Sequence, residues 1–145
     1  MTPEGLSQLK TEEGLRLTAY PDPLTGGAPW TIGYGHTGAE VRRGLAWTKA
    51  QAEAALAADV AKAEAALAKA IPWFSALDPV RRDVLADMAF NLGVASLLQF
   101  RSTLAAVQRG DYAAASEGML ASLWVRQVGG RARVLAEQMR TGRRS

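Results

Sequence analysis

Along most of this 145-residue chain, apolar side chains return every three or four positions, the spacing of one face of an α-helix. Thr2-Pro3 opens the first such stretch with a capping hydroxyl and a proline suited to the first helical position. Leu6 and Leu9 lie on one side of it, and Gly14 is placed to end it. From Leu15 to Gly44 the period is lost. Pro and Gly become frequent there, and two β-prone pieces, Leu17–Tyr20 and Trp30–Tyr34, predict a small antiparallel sheet with glycine-rich turns. Helix resumes after Thr48, a predicted N-cap, and runs to Ala70, with Leu56, Val60, Ala63 and Leu67 at helical spacing. A helix of that length spans roughly 30 Å, enough to tie two lobes together. Pro72 ends it. Asp78-Pro79 starts another, with Val80, Val84, Met88 and Leu92 on one side and Gly93 at its end. Further helices are predicted over residues 95–108, 111–123 and 130–140.

The pattern predicts an α+β fold. A small β-containing N-terminal lobe (residues 1–47) leads through a connecting helix (48–70) to a helical C-terminal lobe (71–145), the three making a single domain. A groove between lobes is where such folds usually bind ligands. Apolar residues make up 48% of the chain, enough for a core without staples. The absence of Cys removes disulfides, thiol nucleophiles and thiolate metal sites together. The N-terminus reads as polar helix without an export signal, and no apolar run is long enough for a membrane span. Charge is uneven. Residues 1–100 hold nine Lys/Arg against eleven Asp/Glu, whereas residues 101–145 hold eight Arg against three acids. The basic end either meets an anionic partner or keeps an Ala-rich lobe in solution.

Candidate chemistry concentrates in EGLRLTAYPDPLTGGAPWTIGYGH, residues 13–36. Glu13 closes the first helix, Asp22 follows the first predicted strand, and Thr31 lies on the next. Glycosidases need two carboxyl groups across the scissile bond, one protonated to assist the leaving oxygen and one ionised. A helix C-terminus carries partial negative charge and disfavours a carboxylate, which suits Glu13 to the acid role. A Glu near a helix end and an Asp before a Pro are also commonplace, and Asp22-Pro23 is equally an ordinary turn.

The string closely resembles the signature of phage endolysins of the bacteriophage T-four lysozyme type, where a Glu, an Asp and a Thr stand in this order around a TIGYGH-like strand. The resemblance continues through LDPVRRDVLADMAFNLG (77–93), FRSTLAAVQRGDYAAAS (100–116) and the basic segment from Trp124 to Arg133, so it covers nearly the whole chain. It implies a lysozyme-like fold and a cofactor-free, metal-free, monomeric N-acetylmuramidase. Such an enzyme cuts the β-1,4 bond between N-acetylmuramic acid and N-acetylglucosamine of peptidoglycan with inversion. Glu13 would be the general acid, with Asp22 and Thr31 holding the attacking water. Inversion needs the two carboxyl groups roughly 6.5 to 9.5 Å apart. Phe90 and Asn91 match positions on the family's groove wall, and Arg131 matches an Arg near the catalytic Glu. The family also implies synthesis in the host bacterial cytoplasm and action on the wall in the periplasm, after a separate membrane-disrupting protein gives access.

One departure concerns spacing. Eight residues, PLTGGAPW, separate Asp22 from Thr31, where the family usually has five. The strict spacing falls on Ala28, which cannot hold a water, so the match is anchored on the ungapped strand and residues 25–27 read as a longer turn. Thr25 is the rival for the Thr role. His36, the lone histidine, has no Cys or second His to form a metal site, and the family pairs it with an Asp on the long helix, here Asp59. Trp30 and Trp124 are candidates for stacking on sugars, while Trp73 and Phe74 read as core. Two other functions stay open: a lytic transglycosylase, which can work with a single acid, and a non-catalytic cationic module that binds wall or membrane. Nucleic-acid binding rests only on basicity and is set aside.

Overall fold

The computed structural model describes residues 1–122 and 124–144, with the backbone alone at Arg126 and Gln127. Contacts divide the chain into two compact units, Leu6–Lys62 and Met1–Gly5 with Ala63–Ser145. The α+β class is observed: a small three-stranded antiparallel sheet among many helices. Among the described residues no helix is long and apolar enough to cross a membrane.

In the smaller unit, α1 (Pro3–Glu13) stops where Gly14 takes φ +71° and donates its N–H to the Lys10 carbonyl at 2.9 Å. β1 (Arg16–Tyr20), β2 (Thr31–Gly33) and β3 (His36–Thr37) follow in sheet order β1-β2-β3. The third strand, two residues long, is too short to leave an alternating pattern in the sequence. Between β1 and β2 the register shifts, so that Arg16 pairs with Gly33 and Tyr20 with Thr31. Ala19, Ile32 and Val41 form a small core, covered by Trp30, Leu45 and Trp47. α2 (Lys49–Ala70) starts with a reciprocal cap: Thr48 Oγ1 accepts the Gln51 N–H, and Gln51 Oε1 accepts the Thr48 N–H. Of its predicted stripe, Leu56 and Val60 are buried in this unit, while Leu67, buried, and Ala63, partly buried, belong to the core of the larger one.

The larger unit is helical. After a 3₁₀ turn (Pro72–Ala76), α3 (Pro79–Leu92) begins on Asp78, whose side chain accepts the Arg81 N–H at 3.2 Å, and ends at Gly93. Phe74 is core, and Trp73 is packed partly buried against it. The sequence places one apolar side on α3. Instead every residue from Asp83 to Ala89 is buried, two carboxylates included. This helix is wrapped on all sides, so a single stripe cannot describe it.

The predicted helix over 95–108 is two helices, α4 (Val94–Leu97) and α5 (Arg101–Gln108). Phe100, at ψ 56°, turns the chain between them and sets its ring edge-on to Trp124 at 6.4 Å. No Gly or Pro marks that break. α6 (Tyr112–Leu120) is capped by Asp111 and is shorter than the predicted 111–123, of which Leu123 lies outside the described residues. α7 (Trp124–Val128) has no counterpart among the predicted elements, and α8 (Gly130–Thr141) matches its prediction closely. Arg81 joins the start of α3 to the end of α8: its Nε donates to the Met139 carbonyl at 2.7 Å, and its guanidinium lies 3.5 Å over the Tyr112 ring. Asp83 accepts the backbone N–H and hydroxyl of Thr2 and pairs with Arg144, holding both ends of the chain on one buried carboxylate.

Candidate active site

Glu13 is the last residue of α1, half-buried, with its carboxyl against the backbone of Gly35. Gly35 itself has φ +74°, a conformation that glycine adopts freely. At the other end of the hairpin stand Asp22 and Thr31. The register brings Thr31 opposite Tyr20, two residues before Asp22. Two residue steps along β2, roughly 7 Å of rise, lead from Thr31 to Gly33 on the side towards Gly35.

The longer turn is internally tied. Asp22 Oδ1 accepts the Leu24 N–H at 2.7 Å, its backbone N–H donates to the Gly27 carbonyl at 2.9 Å, and its carbonyl accepts the Gly26 N–H at 2.8 Å. The first bond makes an Asx turn that fixes the carboxylate, and the two backbone bonds close the loop. The Ala28-Pro29 peptide in the same loop is cis. Thr25, the rival hydroxyl, donates to the Ala28 carbonyl at 2.9 Å and accepts the Gly27 N–H at 3.2 Å. Its hydrogen-bonding capacity goes into the loop.

His36 sits between two carboxylates. Nδ1 lies 2.7 Å from Asp59 Oδ2, the partner expected from the sequence, and Nε2 lies 2.7 Å from Glu40 Oε1. Sequence reasoning misses Glu40, although its spacing four residues on from His36 is a visible signal. Burial works against the charged imidazole, but hydrogen bonds to Glu40 and Asp59 outweigh it, and the His36 pKa is raised above its ordinary 6.5. The same bond from His36 holds Glu40 below the usual carboxylate value.

The signs follow. The stabilisation from His36 is full below an unfolded pKa of about 6.5 and is lost as pH rises through the higher folded value. That from Glu40 is present above the ordinary carboxylate value and is lost as pH falls through the lowered one. The wild-type Tm is therefore expected to fall by about 2–4 °C between about pH 6 and pH 9, and Asp59→Asn to shrink that fall. Thermal melts across the range check this; equal slopes for the two proteins would contradict it.

In the helical unit, Arg131 donates through Nε and Nη2 to Asp87 Oδ1 at 3.1 and 2.9 Å, with only 11% and 3% of the two side chains exposed. Asp87 also escapes the sequence reading. Its signal is chemical: an acid within the apolar stretch of α3 must find a cation. Asn91 Oδ1 accepts the indole N–H of Trp124 at 2.8 Å, and Phe90 is half-buried one residue before it. Trp124 is buried rather than open to stacking along its face, and Trp30 is half-buried on the small core. A pocket of about 670 Å³ opens beside Trp124, lined also by Leu92, Phe100, Thr103, Gly118 and Ser122.

A glutamate ending a helix on a glycine turn, together with a second turn that fixes an aspartate beside a threonine, gives this α+β chain the makings of a lysozyme-like glycosidase. The profile of the phage lysozyme family matches residues 10–144, and the chain belongs to that family. It is a peptidoglycan hydrolase of glycosidase type. Comparison with individual curated proteins gave no match.

Proposed function

We propose that this lysozyme is an N-acetylmuramidase that cleaves the β-1,4 bond between N-acetylmuramic acid and N-acetylglucosamine with inversion. Glu13 is the general acid, and Asp22 and Thr31 hold the attacking water. The observation that carries this reading is the hairpin, which has Glu13 packed just past one end and Asp22 with Thr31 at the other. The Asx turn fixes an Asp22 carboxylate whose second oxygen makes no bond among the described residues, leaving it available to orient a water. Thr31 is favoured over Thr25, whose hydroxyl serves the loop. No cofactor or metal takes part.

Phe90, Asn91 and Arg131 contribute substrate contacts. Asn91 has its carbonyl oxygen on Trp124 and keeps its amide N–H donors for ligand. The enzyme acts as a monomer. It is made in the host cytoplasm, reaches the periplasmic wall after a separate protein disrupts the membrane, and brings about bacteriolysis. In the C-terminal segment Arg109, Arg131, Arg140 and Arg144 pair with carboxylates. Arg101, Arg133 and Arg143 make no ion pair among the described residues and can meet an anionic envelope surface.

Asp22→Asn tests the water-holding role without removing the turn, since the Asn oxygen can still accept the Leu24 N–H. Clearing of purified peptidoglycan is expected to slow at least about 100-fold, with the Tm held within about 2 °C. Clearing at the wild-type rate would remove Asp22 from the mechanism and favour a single-acid route.

A further inference from the structure

Gly33 and Gly35 bracket Tyr34 and both have positive φ, 68° and 74°. Each also lacks room for a side chain, and for different reasons. A Cβ on Gly33 would lie 3.0 Å from the Trp47 ring and 3.3 Å from Ala52, so this glycine makes space for the small core. A Cβ on Gly35 would lie 2.5 Å from Glu13 Oε2, 3.1 Å from Cδ and 3.7 Å from Cγ. The atoms nearest to it all belong to that one side chain.

We propose that Gly35 is a positioning residue: its bare α-carbon is the wall that sets where the Glu13 carboxyl lies. The inference rests on reading Glu13 as the general acid. Glu13 ends its helix, so no following helical turn packs around its side chain. The glycine backbone supplies a rigid surface in place of that turn, and any other residue would occupy the carboxyl's own position. Ordinary contact begins near 3.4 Å, so a methyl at residue 35 displaces the carboxyl by roughly 1 Å.

The clash falls on the far end of a side chain and not on backbone, so it is relieved by moving the Glu13 carboxyl while the fold stays nearly intact. Catalysis does not tolerate the swing, since a shift of about 1 Å in a reacting group costs on the order of 100-fold in rate. Two glycines of one motif thus serve two ends, core packing at Gly33 and placement of the acid at Gly35.

The test compares Gly35→Ala with Gly44→Ala. Gly44 has φ +87° with nothing within 4 Å of an added Cβ, so its variant reports backbone strain alone. Both variants are expected to lower Tm by similar amounts. On purified peptidoglycan, Gly35→Ala should lower kcat about 30- to 100-fold with KM within about threefold, while Gly44→Ala keeps its rate within about threefold. Glu13→Asp withdraws the carboxylate from the wall by one methylene. In that background Gly35→Ala should cost less than about threefold. A Gly35→Ala enzyme of wild-type rate overturns the proposal, as does an equal penalty with and without the Glu13→Asp change. If Gly35→Ala is unfolded, Glu13→Asp must restore folding, and failure to restore it also overturns the proposal. The underlying reading fails separately: Glu13→Gln with full activity would show that Glu13 is not the acid, whatever residue 35 does.

Discussion

Replacing Arg131 with Met is expected to destabilise the protein by about 3–5 kcal/mol and lower its Tm by roughly 10 °C. The reason is the partner left behind. Asp87 is 3% exposed on a helix whose residues 83–89 are all buried, and its Oδ1 accepts from Nε and Nη2 of Arg131. Without the guanidinium an ionised carboxylate would remain in the core unpaired, and its desolvation exceeds what packing can offset. Removing both charges reverses the sign of the argument, because two apolar side chains of similar volume suit that environment. The double variant Asp87→Leu/Arg131→Met is thus expected to regain most of the lost Tm. Its hydrolytic rate should stay at least about tenfold down, because Arg131 is also proposed to contact substrate. Thermal denaturation of the three proteins checks the prediction. A single variant melting within a few degrees of wild type would show that the pair is not isolated from water.

The largest effect on activity is expected from Glu13→Gln, a loss of about 1,000-fold in kcat with KM within about threefold. The amide nearly matches the carboxyl in shape and can keep its packing on Gly35, so binding and folding survive. The acidic proton is removed. Without it the leaving sugar oxygen departs as an alkoxide, and that difference falls wholly in the transition state. Clearing assays on purified peptidoglycan read the rate, and a melt confirms the fold. A Gln variant with a lowered KM and unchanged kcat would mean that Glu13 only shapes the ground state.

Where the chain carries local stop and start signals, its sequence reports structure well. Thr2-Pro3 and Gly14 bound α1, and Asp78-Pro79 and Gly93 bound α3, because caps act through bonds within one turn of their own position. The break at Phe100 is different. It arises because an aromatic side chain packs against Trp124, and no local residue announces a contact made across 24 positions. The buried acids of α3 escape for the same reason: a binary pattern reads Asp83 and Asp87 as surface, and only Thr2, Arg144 and Arg131 brought from afar make them tolerable inside. In the site, Glu13, Asp22 and Thr31 are legible through their spacing around the glycine strand. The closeness of Glu13 to Gly35 is not, because it depends on how the helix end meets the strand rather than on either segment alone.

The central claim is that water, held by Asp22 and Thr31, attacks while Glu13 protonates the leaving oxygen. The most direct test is to digest purified peptidoglycan with the wild-type enzyme and follow the new chain ends by NMR from the first turnovers. Free reducing N-acetylmuramic acid ends that first form as the α-anomer, from a β-linked substrate, are predicted. Ends closed as 1,6-anhydro sugars, or reducing ends that first form as the β-anomer, would contradict the account.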